Sequence, residues 1–471
     1  MKLVKNMLYN ASFQLLALIL PLITIPYISR VLTPDGVGIN AFTLSIANYF
    51  TLAGALGINI YGNREIASYQ TKRPERSKVF WELLYLRIFS VSVASAFYLV
   101  FIIFTDNWQH FYLIQGINLL ATMVDISWYF VGIEDFKKIV VRNAVIKLTT
   151  VALTFILIKD KGDLGLYMFL VAFSMFLGNI TVWPFMRREV DYVPFKKLQV
   201  FKHLKPALYL FLPQITMQIY LTLNKSMLGV LDSVAAAGYF DQSDKLIRVL
   251  FTIVTAIGGV FLPRLSSLFS EKKYQEAKYL TLKLLELSNA ISLLMIAGTV
   301  AVSNSFATFF FGRDYVAVGP LMAVQSLMIL MISYGNALGA QYLLASRRTR
   351  AYTGSAFAGL VINVIGNIIL IPLWGALGAI ISSVITEFVV SFYQAYALRD
   401  IFTITELTKG VWKYIIAAMV ACPIMYYLDS ILINSLVNYA FLSLVGTVIY
   451  VIGLWLLKAN VFTLVKNVKL K

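Results

Sequence analysis

The sequence predicts an all-α integral membrane protein of fourteen transmembrane helices, in two six-helix lobes related by pseudo-two-fold symmetry plus two C-terminal helices. Three observations predict it. The 471 residues are 59% hydrophobic and 13% charged, whereas soluble domains run about 45–50% apolar and about 25% charged. Mean hydropathy is +0.77. Apolar runs of about 20 residues, the length that crosses a bilayer, follow one another along the whole chain and leave no room for a sizeable extramembrane domain.

The elements are read in order. Lys2 and Lys5 precede an apolar run, as in a signal peptide, but the run continues to Leu32 with no small-residue cleavage site and reads as an uncleaved first span. The spans of the N-terminal lobe (1–186) are placed at 8–30, 39–62, 81–104, 109–132, 139–158 and 164–186. A basic cytoplasmic linker, 187–206, follows. The C-terminal lobe (207–398) carries spans at 207–231, 238–262, 281–304, 318–344, 351–371 and 376–398. The last segment, 399–471, holds spans 412–430 and 436–457 and a cytoplasmic tail. The seven tryptophans (Trp81, Trp108, Trp128, Trp183, Trp374, Trp412, Trp455) fall near predicted span ends, as an interfacial aromatic belt requires.

Charge placement sets the orientation. Of 40 Lys and Arg, six lie at membrane depth and only Lys159, Lys161 and Arg313 fall in predicted outer loops; the other 31 collect on the inner side if both termini are cytoplasmic. This accounts for the net charge of +17 without a nucleic-acid partner. The lone Cys422 excludes a disulfide framework, His110 and His203 lie too far apart in sequence to suggest a metal cluster, and no P-loop lysine points to ATP hydrolysis.

An offset of 200 superposes Gly38 on Gly238, Arg64 on Arg264, and Lys72–Arg73 on Lys272–Lys273. Val31–Leu32 meets Val230–Leu231 with one residue of slip. Such a pattern implies parallel repeats, which bind cargo at their interface and alternate access by rocking. Prolines at 21, 26, 213, 263, 372 and 423 punctuate the spans and can break helices where neighbours satisfy the freed carbonyls. Small residues at Gly335–Gly339, Gly354–Gly359 and Gly375–Gly378 mark close helix packing.

Ionisable groups at membrane depth normally face protein or a wet path. Here they are Arg30, Arg87, Asp125, Lys147, Lys225, Asp241, Asp244, Lys245, Arg248, Glu286 and Glu387. Asp241, Asp244, Lys245 and Arg248 share one helix face by spacing. Arg30, Lys225, Lys245 and Arg248 belong to the first, seventh and eighth spans, which the repeat places at the lobe interface. Four cations against Asp241 and Asp244 favour an anionic cargo such as a diphosphate. Asp125, Lys147, Asp241, Asp244 and Glu387 are candidates for a coupling ion or for structural ion pairs.

The run Pro26-Tyr27-Ile28-Ser29-Arg30-Val31-Leu32 with Gly36-Val37-Gly38 resembles the first-span signature of the polysaccharide transporter (Wzx-type) flippases. So do Tyr61-Gly62-Asn63-Arg64-Glu65-Ile66-Ala67, Asp125-Ile126-Ser127-Trp128-Tyr129-Phe130-Val131-Gly132, Gly238-Tyr239-Phe240-Asp241-Gln242-Ser243-Asp244-Lys245, Leu262-Pro263-Arg264 and Phe310-Phe311-Gly312-Arg313-Asp314-Tyr315. Asn224 departs from the pattern, since many relatives carry an acid beside this lysine. The resemblance implies the multidrug/oligosaccharidyl-lipid/polysaccharide exporter fold and movement of undecaprenyl-diphosphate-linked oligosaccharide from the inner to the outer leaflet. It implies a transporter and not an enzyme, and no cofactor beyond coupling to proton, sodium or membrane potential. Arg30, Lys225, Lys245 and Arg248 would hold the diphosphate, and a polymerase and glycosyltransferases would be partners in capsule or O-antigen synthesis. A teichoic-acid or peptidoglycan-precursor flippase, or an ion-coupled drug antiporter, would share the fold; an acid-dominated lumen would favour the antiporter.

Overall fold

The computed structural model describes the backbone of residues 2–462, and their side chains except at 2–15, 17, 18, 212–214, 216, 217, 221, 257 and 260. The side chains of Pro213, Lys2 and Lys5, and the predicted tail beyond residue 462, lie outside the described set. Every regular element among the described residues is helical. Nine of these helices are long and apolar enough to cross a membrane, so the chain is a multi-pass membrane protein.

Two compact units divide it, residues 1–226 and 227–471. The first contains α1 (Lys2–Ala55), α2 (Ile58–Ser68), α3 (Arg73–Ile103), α4 (Gln109–Gln115), α5 (Ile117–Met123), α6 (Ser127–Gly132), α7 (Phe136–Leu157), α8 (Leu164–Ile180), α9 (Trp183–Glu189) and most of α10 (Leu204–Leu231). The second contains α11 (Val234–Ser270), α12 (Tyr274–Phe311), α13 (Val318–Ser326), α14 (Met328–Tyr334), a π-helical stretch (Gly335–Leu343), α15 (Thr349–Ala397), α16 (Ile404–Leu407), α17 (Val411–Ile431) and α18 (Leu436–Leu456).

Two helices are too long to be single crossings. The apolar stretches Ile19–Ser68 and Thr349–Ala397 hold 50 and 49 residues, which at 1.5 Å per residue far exceed a hydrocarbon layer of about 30 Å. The first is broken at Thr33 (φ 60°, ψ 170°) and again at Leu56–Gly57, where α1 gives way to α2; the second is broken at Gly375 (φ 55°, ψ −130°). Pro34 follows Thr33 and opens the next helical stretch, the position where a missing N–H does no harm. Gly375 can adopt its backbone angles because it has no Cβ. Beyond it α15 folds back on itself: Gln394 Nε2 donates to Ser355 Oγ at 3.0 Å, and Ser382 Oγ donates to the Asn363 carbonyl at 3.2 Å.

The structure differs from the sequence expectation at two kinds of place. The basic loops predicted after the second and eighth spans are short turns. Helix runs to Ser68 and resumes at Arg73, and it runs to Ser270 and resumes at Tyr274. Arg64, Arg76, Lys78 and Arg264 thus sit on helical extensions. The second difference is that the fourth span, read as continuous, is broken, and the tenth, continuous over Val318–Leu343, passes into a π-helical stretch. In the fourth, Asp125 Oδ1 accepts the Ser127 N–H at 2.9 Å. This is the local side-chain bond that competes with helix. The freed carbonyls find donors: Val124 from Trp183 Nε1 at 2.9 Å, Asp125 from Trp128 Nε1 at 3.2 Å. In the tenth, the chain passes from α13 through α14 into the π-helical stretch, and the Met331 carbonyl accepts Ser391 Oγ at 2.7 Å.

Glycines let these pieces touch. A Cβ on Gly62 of α2 would lie 2.7 Å from the Trp128 ring on α6, and one on Gly132 of α6 would lie 2.7 Å from Ile66 Cβ on α2. Each helix therefore offers a notch to a large side chain of the other. Gly354 and Gly359 receive Tyr393 and Val390 in the same way across the two halves of α15, and Gly339 receives Gln394. The small-residue stretches are packing surfaces, as their composition indicates.

Gly132→Ala should destabilise the fold by about 1–3 kcal/mol through overpacking. Adding Ile66→Ala should return part of the loss. Thermal unfolding in detergent measures both; equal stability of Gly132→Ala and the parent would contradict the close contact.

Candidate functional site

The charged face on α11 is arranged as two ladders. Lys245 Nζ stands 2.5 Å from Asp241 Oδ2, and Arg248 Nε 2.7 Å from Asp244 Oδ2, each pair one turn apart on the same helix. The acids are buried, with side chains 5% and 6% exposed; the cations, at 38% and 35%, are not. A fixed carboxylate thus lies beneath each cation and holds it outward. Gln325 of α13 ties the face down: its Nε2 donates to Asp244 Oδ1 at 3.3 Å, and its Oε1 accepts Ser243 Oγ at 2.5 Å.

In the first unit Arg30 is exposed, one turn before the Thr33 break. Lys225 is half-buried on α10 between the buried Asn224 and Ser226. Ser226 Oγ shares a 2.6 Å hydrogen bond with Tyr49 Oη of α1, fixing this part of α10 against its unit. The structure therefore brings Lys245 and Arg248 together on α11, while Arg30 and Lys225 belong to the first unit.

The remaining predicted charges fall into different surroundings. Arg87 of α3 is fully buried. It donates to the Asp125 carbonyl and to Asn59 Oδ1, with the Asp125 carboxylate 3.6 Å away. This guanidinium stitches α3 to the break in the fourth span and is structural. Nearby, Arg142 donates to Ser127 Oγ at 3.2 Å. Glu286 accepts from Tyr414 Oη at 3.1 Å, joining α12 to α17. Lys147 and Glu387 are half-buried.

One cluster has no counterpart in the sequence reading. Glu82 of α3 is fully buried and gathers bonds from the linker ahead of α10. Gln199 N–H donates to Oε1 at 2.8 Å, while Lys202 Nζ at 2.8 Å and His203 Nε2 at 2.9 Å meet Oε2. His203 Nδ1 in turn bonds Tyr61 Oη at 2.8 Å, joining α2 to the same network. Burial pushes His203 below the usual histidine range, with the Glu82 carboxylate pulling the other way. The signal in the sequence is Glu82 itself, a lone acid in the apolar run Phe80-Trp81-Glu82-Leu83-Leu84, which predicted span limits assign to the interface.

Helices broken at membrane depth, with buried ion pairs beside the breaks, are features of transporters. Solved structures share the fold. The lipid II flippase MurJ in an inward closed conformation shares it over 95% of this chain and 98% of its own, with a TM-score of 0.75 at 15% identity. An inward-facing multidrug resistance MATE family transporter of the MOP superfamily shares it over 81% of this chain and 97% of its own, with a TM-score of 0.58 at 13% identity. The family model for polysaccharide biosynthesis proteins matches residues 3–269, more than half of the chain, and the chain belongs to that family. It is also 24% identical over 383 residues to a provisionally assigned O-antigen transporter of Shigella dysenteriae, covering 80% of this chain and 96% of the relative.

Arg87→Met should destabilise the protein by about 1–3 kcal/mol, because the part-buried Asp125 and the Asn59 side-chain oxygen lose the donor they share. Asp125→Asn in the same chain should recover part of it; folded yield in detergent and thermal unfolding report both. For His203 the sign follows from its lowered pKa. The unfolded chain takes up a proton near pH 6.5, where the folded chain does not. Stability is therefore complete above that pH and declines as pH falls toward the lowered folded value. His203→Gln should flatten this part of the stability–pH profile. An unchanged slope would show that the imidazole stays neutral for no energetic reason of the fold.

Proposed function

We propose that this protein is a flippase that moves an undecaprenyl-diphosphate-linked oligosaccharide repeat unit from the inner to the outer leaflet, for capsule or O-antigen-type polysaccharide. The observation that carries the reading is membership of the polysaccharide biosynthesis family over residues 3–269. The long alignment with the O-antigen transporter and the fold shared with a lipid II flippase support it.

A diphosphate-sugar headgroup cannot cross hydrocarbon unaided, since an unpaired charge there costs many kcal/mol. Arg30, Lys225, Lys245 and Arg248 would replace its hydration. On α11 the carboxylates of Asp241 and Asp244 already hold Lys245 and Arg248 outward. An incoming diphosphate would share these cations instead of ordering them afresh, which lowers the entropic cost of binding. The prenyl tail would stay in lipid, and alternating access would carry the headgroup across. No covalent bond changes, so the protein acts as a transporter.

The protein would sit in the bacterial cytoplasmic membrane with fourteen crossings and both termini inside, as the Lys/Arg asymmetry favours. A polymerase and glycosyltransferases would act beside it. Proton, sodium or the membrane potential would drive the cycle, with Asp241, Asp244 or Glu387 as candidate ion carriers.

The test is leaflet translocation of a short-chain prenyl-diphosphate oligosaccharide in proteoliposomes, with Arg30→Ala and Lys225→Ala beside the parent. Transport by the parent and its loss, by at least about tenfold, in folded variants is expected, each variant forfeiting a charge-assisted contact worth roughly 1.5–3 kcal/mol. Selective movement of a peptidoglycan or teichoic-acid precursor would reassign the cargo. Ion-coupled efflux of a small cation with no lipid translocation would overturn the reading.

A further inference from the structure

The linker ahead of α10 is bonded along the outside of α3 rather than looped into solvent. Trp81, Tyr85 and Phe89 are spaced four residues apart and form one stripe on α3. Each rung meets an aromatic ring of the linker edge-on: Trp81 with Tyr192 at 6.3 Å, Tyr85 with Phe195 at 5.3 Å, and Phe89 with Phe201 at 5.5 Å between centroids. From Trp81 to Phe89 the helix rises about 12 Å. The linker therefore follows α3 from the end of its apolar run inward.

Its outer face has the composition of that zone. Tyr192, Phe195 and Phe201 remain 77%, 63% and 61% exposed despite their stacking. Lys196, Lys197 and Lys205 are interleaved with them and exposed. The two nearby acids are already engaged: Asp191 is held by Arg73 at 2.8 Å, and Glu189 lies 3.5 Å from Lys138. Glu82, Gln199, Lys202 and His203 clamp the inner face. A rigid segment with outward aromatics and lysines matches the lipid interface, where rings sit at headgroup depth and lysines reach phosphate.

We propose that residues 190–206 are a docking surface for anionic phospholipid. The rings enter the acyl boundary, and Lys196, Lys197 and Lys205 hold the phosphates of anionic headgroups. This binding is separate from cargo transport and stands whether or not the flippase reading holds. Because the segment is clamped to α3, lipid bound there would act on the first unit and not on a loose tether.

The single cysteine makes the test direct. In a Cys422→Ser background, Phe201→Cys carries a bimane label, and Tyr192→Cys serves as a second site where loss of the Phe201 ring disturbs folding. The labelled protein is reconstituted in phosphatidylcholine–phosphatidylglycerol vesicles in which one or the other lipid is brominated, at equal mole fraction. Quenching by both, with a preference for brominated phosphatidylglycerol, is expected. Lys196→Gln/Lys197→Gln/Lys205→Gln should abolish the preference, weakening headgroup binding by roughly fivefold per lysine, and leave quenching by brominated phosphatidylcholine. Absence of quenching, equal quenching by the two lipids in the parent, or a preference that survives the triple substitution would each overturn the proposal. So would protection of the label by self-association in place of lipid.

Discussion

The rest of the structure depends on one constraint: in hydrocarbon every backbone polar group and every charge needs a partner within the protein. Straight helices meet it automatically. This chain breaks helices at Thr33, at Leu56–Gly57, around Asp125 and at Gly375, so donors must be imported where carbonyls are released. Around Asp125 they come from Trp128, Trp183 and the buried Arg87. Arg87 is accordingly a backbone-satisfying residue first and an ion-pair residue second. An isolated arginine at that depth would be costly, but one that caps two carbonyl-type acceptors beside a carboxylate offsets much of that cost while serving the break.

The same constraint sorts the ionisable groups into two designs. In one, a buried acid is enclosed by donors and its charge never reaches the surface; Glu82, bonded by Gln199, Lys202 and His203, is the example. In the other, a buried acid supports a cation whose head stays partly exposed, as Asp241 and Asp244 do for Lys245 and Arg248. The first design locks elements together. The second leaves a positive head held in place and partly exposed, the arrangement that the proposed diphosphate site would use. Counting charges along the sequence treats the two alike, and only burial separates them.

The fold class was legible because composition and span length are coarse quantities that packing does not alter. The four-residue ladder on α11 was legible too, since helical periodicity alone puts Asp241 beside Lys245 and Asp244 beside Arg248. The break in the fourth span and the π-helical stretch in the tenth were not. Asp125 reads as an ion-pair candidate from its depth, while its structural effect comes from the oxygen that accepts the Ser127 N–H two residues on. That choice depends on Arg87 and Trp183, which lie on other helices. Glu82 was missed for a related reason. A glutamate at a span boundary normally faces water, and nothing local announces that residues 199–203 return to cover it.

The motifs that resemble the Wzx-type family now separate by physical role. Tyr61-Gly62 and Trp128 through Gly132 are packing elements: the two glycines receive Trp128 and Ile66, and Tyr61 joins the His203 network. Gly238 through Lys245 instead carries the charged ladder. Residues of the first kind fix how α2, α3, α6 and the linker pack, and they tolerate no change in volume. Residues of the second kind tolerate changes in volume but not in charge. A member of the family with a different glycan could therefore vary the polar side chains around the ladder while keeping the notches, because the notches hold the scaffold on which any anionic headgroup would be met.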